Sequence, residues 1–329
     1  MILLTDPGHR RPPCTIAVFG AGLLGSSIVS AVLSTAPLQA ERIPLSWTDA
    51  ALQGQQLQAL EARISAALQK DEGAKGMASL KVLWSAGRAG FAATEPETAA
   101  ELDSFRAVLG MTERLARRFP GARTALYLLS SAGGLFEGQR HVDQDSRPEP
   151  RRPYGLLKLR QEQLLAASEA PITKRTYRPT SVYGYLRPNQ RIGLISTLIL
   201  NGLRHQVSNI TAWMSTLRDF VFVEDIARFI SRLLLEDDAE GEESTATLAH
   251  AKPFSIFEIE KMVENVLGRK IYVSYSLEPS NREDITFSYA VVPPGWHSSD
   301  LGSNISRIYK EAVASGAVFG SPTRLLDRA

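Results

Sequence analysis

The chain contains 329 residues, carries a net charge of +2 and has a single cysteine, Cys14. This length exceeds what one hydrophobic core usually organises, so we expect a large domain and a smaller one. The near-neutral charge gives no reason to expect a nucleic-acid or membrane-surface partner, and one cysteine excludes an internal disulfide. The five histidines show no metal-binding spacing, and the longest apolar run, residues 192–200, is too short to span a bilayer. We therefore expect a cytoplasmic protein without a metal site.

Predicted strands and helices alternate through the first half of the chain. Apolar runs predict strands at residues 15–19, 42–48, 80–84 and 124–129. Helices are predicted after residue 22 and at residues 51–70, 101–118 and 154–167. This alternation is typical of an α/β fold in which helices cover both faces of a doubly wound parallel sheet.

A glycine-rich loop lies between the first of these strands and its helix, in the segment Gly20-Ala21-Gly22-Leu23-Leu24-Gly25. Gly20 lets the strand turn sharply, Gly22 lets backbone approach a pyrophosphate, and Gly25 allows close packing of helix on sheet. Leu23 and Leu24 open the helix, whose free N–H groups would face the phosphates. The loop predicts a Rossmann-type domain that binds a dinucleotide.

Asp49, near the end of the second predicted strand, has two interpretations. Its carboxylate could accept hydrogen bonds from the adenosine ribose, which would favour NAD over NADP. It could equally cap the helix that follows.

Tyr154 and Lys158 stand four residues apart on a predicted helix, so their side chains share one face. A neighbouring ammonium group favours the phenolate form of tyrosine, which lets Tyr154 act as a general acid or base on a substrate oxygen. Ser131, or its neighbour Ser130, follows the strand at residues 124–129 and could fix the same oxygen. In this order, the glycine loop, the serine turn and Tyr-x-x-x-Lys indicate an enzyme that transfers a hydride and a proton.

The chain resembles the extended short-chain dehydrogenase/reductase family, particularly its nucleotide-sugar epimerases and dehydratases such as UDP-galactose 4-epimerase. The resemblance rests on residues 20–25, 128–131, 153–158, 177–184 and 218–227. It implies NAD as cofactor, a nucleotide-sugar substrate and a homodimer as a candidate assembly. It also implies that Arg178 lies beside the nicotinamide and that Arg218 and Arg282 contact the substrate diphosphate.

The alternation of strands and helices becomes irregular from Pro188 onward, and residues 236–244 form an acidic segment, which indicates a smaller second domain that begins near Gly184. We assign residues 1–183 to the dinucleotide-binding domain, with residues 1–14 as a flexible leader. Residues 184–329 are assigned mainly to a substrate-binding domain, with residues 218–237 returning to the first domain.

Several positions depart from the family pattern. Phe19 replaces the first glycine of the usual loop, and no additional strand is evident between Asp49 and Leu80. The serine turn aligns in two registers, one of which places Ala132 at the position of the catalytic hydroxyl. The residues that follow, Ala132 to Gly134, supply no carboxylate for eliminating water. Glu137 could be a displaced acid, but we favour the interpretation that it is an exposed turn residue.

These residues favour an NAD-dependent nucleotide-sugar epimerase that works through a keto-sugar intermediate. A reductase or dehydrogenase of the same family and a non-catalytic dinucleotide-sensing protein remain the alternatives.

Overall fold

The computed structural model describes residues 1–7, 13–71, 77–87, 89–90, 93–186, 192–236, 243–276 and 283–316. Its central feature is a seven-stranded sheet with the strand order β11-β6-β5-β4-β2-β1-β3. The strands of this sheet are β1 (Ile2–Thr5), β2 (Cys14–Phe19), β3 (Gln39–Arg42), β4 (Ser79–Trp84), β5 (Arg123–Leu129), β6 (Thr173–Pro179) and β11 (Ser244–Leu248).

The helices in the described part of the chain are α1 (Leu23–Thr35), α2 (Ala50–Asp71), α3 (Glu95–Arg118), α4 (Ala132–Leu135), α5 (Pro153–Ala166), α6 (Leu194–Leu203), α7 (Val223–Glu236), α8 (Ile256–Leu267) and α9 (Leu301–Ala314). Three two-stranded sheets complete the fold. They pair β7 (Ser181–Tyr183) with β10 (Phe220–Phe222), β8 (Val207–Ile210) with β13 (Tyr272–Tyr275), and β9 (Leu217–Arg218) with β12 (Phe254–Ser255).

Helices cover both faces of the large sheet, which confirms the predicted α/β class. One core joins the apolar faces of α2 and α3 to one side of the strands. A second core joins α1 and α7 to the other side. Strands β2 and β4 are buried at every position, as expected for strands covered on both faces.

The N-terminal residues correct the expectation of a flexible leader. Ile2–Thr5 form β1, which lies inside the sheet and pairs antiparallel with both β2 and β3. Ile2 and Leu4 pack into the core on one face, and Leu3 packs into the core on the other. The consecutive apolar residues 2–4 are thus the signature of a strand buried on both faces, and the sheet is mixed rather than wholly parallel.

The second predicted strand is also displaced. The prediction placed it at residues 42–48, whereas β3 spans Gln39–Arg42. Pro44 lacks the N–H group that a continuing strand would need, and the four residues of β3 are exposed. Residues 50–71 are helical throughout, so the described residues after Asp49 contain no further strand before β4.

A third core lies outside the large sheet. Helices α6, α8 and α9 pack with β7 and β10 around residues such as Ile195, Ile259 and Ile305. Helix α7 instead packs on α1. The division into two domains at residue 184 stays a prediction. In the described residues, no helix combines the length and apolar character needed to cross a membrane.

The buried position of β1 gives a stability prediction. Leu4 has no exposed surface, so Leu4→Ala should lower the free energy of unfolding by about 2–5 kcal/mol through lost contacts and a residual cavity. Urea unfolding followed by circular dichroism measures the change. Leu52→Ala on α2, where leucine is 43% exposed, is the matched control and should change stability by about 0.5 kcal/mol or less. If both substitutions change the free energy of unfolding by the same small amount, β1 is not part of the folded core and the expectation of a flexible leader is correct.

Candidate active site

The glycine-rich loop leaves the carboxyl end of β2 and packs against the loop that follows β4. Gly20 has a φ of +100°, and a Cβ atom there would lie 2.4 Å from the backbone nitrogen of Ala86. A Cβ atom at Gly25 would lie 1.8 Å from the Gly20 carbonyl oxygen. Only glycine fits these two positions. At Gly22, by contrast, no atom of the described residues lies within 4 Å of a Cβ position.

The first turn of α1 is suited to an anion. Its cap residue, Gly22, provides no side-chain hydrogen bond, and the turn carries no acidic residue. In the described part of the chain, no side chain accepts a hydrogen bond from the first N–H groups of this helix, and its positive dipole end faces the loop. Together with the open space at Gly22, this arrangement fits a dinucleotide pyrophosphate, with Leu23 and Leu24 in the first turn.

Asp49 is the cap of α2. Its carboxylate accepts a hydrogen bond from the Leu52 N–H at 3.0 Å. The structure therefore shows the capping interaction that the sequence left open.

The serine turn and the tyrosine helix lie against each other. A Cβ atom at Gly134 would be 3.0 Å from Cε1 of Tyr154, and one at Gly155 would be 2.1 Å from the Gly134 carbonyl oxygen. Two glycines thus allow α4 and α5 to approach closely. Ser131 caps α4 and accepts a hydrogen bond from the Gly134 N–H at 3.2 Å. The neighbouring Ser130 hydroxyl is buried and has no hydrogen-bond partner among the described residues.

Lys158 lies one turn beyond Tyr154 and is buried. Its Nζ atom is 5.8 Å from the centre of the Tyr154 ring. It is 3.3 Å from Oε1 of Glu101 and 3.1 Å from Oε1 of Gln161. The Lys158 and Glu101 side chains are 6% and 8% exposed. A buried ammonium requires such partners because its desolvation is otherwise uncompensated.

Glu101 also connects the lysine to the cofactor side of the site. Its second oxygen accepts the Ala89 N–H at 3.3 Å, in the loop that follows β4. In the same loop, the Ser85 hydroxyl donates to the Gly20 carbonyl at 2.9 Å. These contacts link the glycine-rich loop to the helix that carries Tyr154 and Lys158.

Arg178 is held by a side-chain partner. Its guanidinium makes two hydrogen bonds to Glu162 on α5, at 2.9 and 2.6 Å, and lies over the Phe136 ring. With this bidentate pair in place, a cofactor contact from this segment would come from its backbone. The nicotinamide contact of Arg178 stays a prediction.

Arg218 is partly buried, and charges of both signs lie near it. Its guanidinium donates to the carbonyl oxygens of Leu217 and Glu283, at 2.9 and 2.6 Å. Burial lowers the pKa of Arg218 to about 10, Asp284 opposes this shift, and the positive charge of Arg152 adds to it. Arg282, the second arginine predicted to contact a diphosphate, lies outside the described residues.

Glu137 is buried, which corrects the expectation of an exposed turn residue. It is 5% exposed, and one of its oxygens is 3.1 Å from Nε of Arg152. Its other oxygen has no hydrogen-bond partner among the described residues. The loop after Glu137 is held by hydrogen bonds from the His141 and Val142 N–H groups to Thr286, far along the chain. Burial raises the pKa of Glu137, and the charge of Arg152 offsets part of the rise.

Glu101 and Gln161 were not predicted as site residues. Gln161 lies three residues after Lys158 and therefore on the same helix face, which is a signal that the sequence contains. Glu101 is 57 residues from Lys158. Only the packing of α3 on α5 brings it to the lysine, and no local pattern indicates that contact.

The raised pKa of Glu137 predicts a pH dependence of stability. The folded state retains the Glu137 proton above the usual pKa of a glutamic acid. The free energy of unfolding of the wild type is therefore higher while Glu137 is protonated, and it decreases as pH rises through the raised pKa. Glu137→Gln cannot ionise. Relative to wild type, its free energy of unfolding should therefore increase as pH rises from the usual pKa of a glutamic acid through the raised pKa of Glu137.

Asp143→Asn is the matched control with the opposite sign, because hydrogen bonds from Ser146 lower the pKa of Asp143. Denaturant unfolding at several pH values measures both variants. If the free energies of unfolding of wild type and Glu137→Gln change with pH in the same way, the pKa of Glu137 is not raised by folding.

Comparisons with known proteins place this site in a family. The model of the "NAD dependent epimerase/dehydratase family" matches residues 48–247, more than half of the chain. No curated protein sequence matches. Three similar solved structures are a UDP-glucose 4-epimerase with UDP-glucose from Thermotoga maritima, a UDP-glucuronic acid 4-epimerase with UDP-glucuronic acid and NAD from Bacillus cereus, and RMD with NADPH from Pseudomonas aeruginosa.

Sequence identity to these structures is low, at 16%, 19% and 16%, with TM-scores of 0.70, 0.68 and 0.64. The alignments cover 92%, 91% and 91% of this chain and 99%, 99% and 97% of the other chains. At this identity the structures show a shared fold, whereas the match to the family model establishes membership. The chain belongs to the NAD dependent epimerase/dehydratase family, within the extended short-chain dehydrogenases/reductases.

Proposed function

We propose that the protein is an NAD-dependent nucleotide-sugar epimerase that works through a keto-sugar intermediate. The observation that carries the proposal is the contact between the serine turn and Tyr154, with Lys158 one turn away and connected through Glu101 to the glycine-rich loop. Similar structures bind UDP-sugars and NAD, which supports this substrate class and cofactor.

The residues would divide the chemistry as follows. NAD, when bound, accepts a hydride from the substrate and returns it. Gly20, Gly22 and the first turn of α1 would hold its pyrophosphate. The Tyr154 phenol would take the proton of the sugar hydroxyl and give one back. Ser131, whose hydroxyl lies at the start of α4, would orient the same oxygen.

Lys158 would act beside Tyr154. The Lys158 ammonium has three N–H donors. Two of them donate hydrogen bonds to Glu101 and Gln161. The third would be available to a ribose hydroxyl of the cofactor. The positive charge would also favour the phenolate of Tyr154.

Elimination of water is a less suitable reaction for this site. Ala132, Gly133 and Gly134 provide no carboxylate beside the serine turn, and Glu137 is paired with Arg152. A reductase that exchanges cofactor at each turnover is the main alternative, and the similar RMD structure contains NADPH. Denaturing the purified protein and identifying any released dinucleotide distinguishes the two, because a tightly held dinucleotide favours an epimerase. A non-catalytic dinucleotide-binding protein would show neither activity.

Replacing Tyr154 tests the catalytic assignment. Tyr154→Phe removes only the phenolic oxygen, so activity on a verified nucleotide sugar should fall by about 10²–10⁴-fold. The fold and dinucleotide affinity should be retained. Tyr289→Phe, at a tyrosine that is 74% exposed, is the control and should leave turnover unchanged. Near wild-type turnover of Tyr154→Phe would disprove the proton-transfer role.

Arg218 tests the substrate class. Partial burial and the like charge of Arg152 both disfavour the charged form of Arg218, and Asp284 opposes them; a bound anion would add to the stabilisation that Asp284 provides. Asp219 and Glu224, the acidic residues near Arg218 in the sequence, have other partners: Asp219 accepts hydrogen bonds from Thr180 and the His250 N–H, and Glu224 pairs with Arg307. The carboxylates that act on the charge of Arg218 are Asp284 and Glu137, which pair with Arg140 and Arg152. Arg218→Ala should weaken binding of a nucleoside diphosphate by about 2–5 kcal/mol and leave NAD affinity almost unchanged.

Calorimetric titration with UDP, GDP and dTDP measures this effect. Arg140→Ala is the control, because Arg140 is 69% exposed and pairs with Asp284 near the same cluster. Arg218→Lys, which keeps the charge, separates a lost ligand contact from a folding defect. If the wild type binds NAD but none of these diphosphates, the nucleotide-sugar assignment is wrong and a dehydrogenase of another substrate class remains.

A cytoplasmic location, a homodimer and the absence of a nucleic-acid partner stay predictions.

A further inference from the structure

A cavity of about 300 Å³ lies beside the glycine-rich loop, at the carboxyl end of β3. Ala21 of the loop lines one side. Arg42, the last residue of β3, and the segment after it, Ile43 to Leu45, line another. The start of β1 completes the lining, and Met1 N donates a hydrogen bond to the Ile43 carbonyl at 2.8 Å. We refer to this cavity as the β3-end pocket.

The inserted strand determines the width of this pocket. Ile2 of β1 is the Cα partner of Val18 on one side and of Arg42 on the other. Neighbouring strands are about 4.8 Å apart, so the end of β3 lies about 10 Å from β2 instead of next to it. At this distance from β2, a short carboxylate side chain at the end of β3 could not easily reach a ligand bound at the glycine-rich loop. The longer side chain of arginine can extend into the gap.

The charge of the pocket is positive. Arg42 is exposed, and its side chain makes no hydrogen bond or ion pair with the described residues. The adjacent Glu41 pairs with Arg63 on α2. No acidic residue lines the cavity in the described part of the chain. The Asp49 carboxylate, a candidate ligand for the ribose, caps α2 instead.

Position in the sequence supports a role toward the cofactor. In dinucleotide-binding folds, the residue at the end of the strand after the glycine loop, about 20 residues on, faces the adenosine ribose. An acidic residue there binds the 2′-hydroxyl, and an arginine accommodates a 2′-phosphate. Arg42 ends the strand that follows α1 and stands 20 residues after Gly22.

We propose that Arg42 binds the 2′-phosphate of NADP(H), so that the site accepts the phosphorylated dinucleotide as well as NAD. The proposal rests on the proposed function, because it requires a dinucleotide at the glycine-rich loop. The guanidinium pairs with two phosphate oxygens, and the missing carboxylate removes the like-charge repulsion that would exclude this group. The contact is exposed and is therefore screened by salt.

Titration calorimetry with NADP⁺ and NAD⁺ tests the proposal, because the two probes differ only in the 2′-phosphate. Arg42→Ala should weaken NADP⁺ binding by about tenfold or more at low ionic strength, the scale of one charge-assisted hydrogen-bonded contact. NAD⁺ affinity should change by less than about threefold, since NAD⁺ lacks the group that Arg42 binds. Added salt should weaken NADP⁺ binding to the wild type more than NAD⁺ binding.

Arg63→Ala is the matched control, because Arg63 is a neighbouring surface arginine that pairs with Glu41. It should leave the affinity for NADP⁺ unchanged. Arg42→Lys should restore part of the affinity for NADP⁺, and retained NAD⁺ binding shows that the variants are folded. If the wild type binds NAD⁺ but excludes NADP⁺, or if Arg42→Ala leaves NADP⁺ affinity unchanged, the proposal is wrong and the proposed function stands. If the wild type binds neither dinucleotide, both are wrong.

Discussion

The buried ammonium group of Lys158 is the constraint that organises the candidate site. A charge this far from water needs hydrogen-bonding partners of opposite or polar character, and the chain provides them from two helices, with Glu101 on α3 and Gln161 on α5. Because Glu101 also holds the loop after β4, and that loop holds Gly20, one pairing requirement fixes several elements at once. The glycine-rich loop and the helix that carries Tyr154 are therefore connected by one set of hydrogen bonds through Glu101 and the loop after β4.

Local patterns in the sequence predicted much of this arrangement. The strand, glycine loop and helix at residues 14–35 and the helix that carries Tyr154 and Lys158 depend on contacts within a few residues of each other, so their motifs are readable. Contacts between distant segments were not readable. Glu101 reaches Lys158 only through packing of α3 on α5, and the loop after Glu137 is held by distant residues, Thr286 and Ser288. The strand at Ile2–Thr5 was missed because its partners lie on both sides of it in the folded sheet.

Two arginines proposed to meet phosphate groups differ in their physical setting. Arg218 is partly buried and oriented by two backbone carbonyl oxygens before any ligand arrives, so little side-chain entropy is lost when it binds. Arg42 is exposed at the end of a strand, so its contact must order a mobile side chain and compete with salt. The same functional group is therefore expected to provide strong anchoring at one position and discrimination between similar ligands at the other.

The position of β1 has a consequence for association between copies of the chain. These four residues satisfy the backbone hydrogen bonds of two strands, β2 and β3. If β1 detaches, two unpaired strand edges are exposed together, with a gap between them that fits one strand. The segment that fits this gap is identical in every copy, so strand exchange between two molecules restores all the lost pairs. The feature that completes the sheet within one molecule is thus also a route to domain swapping.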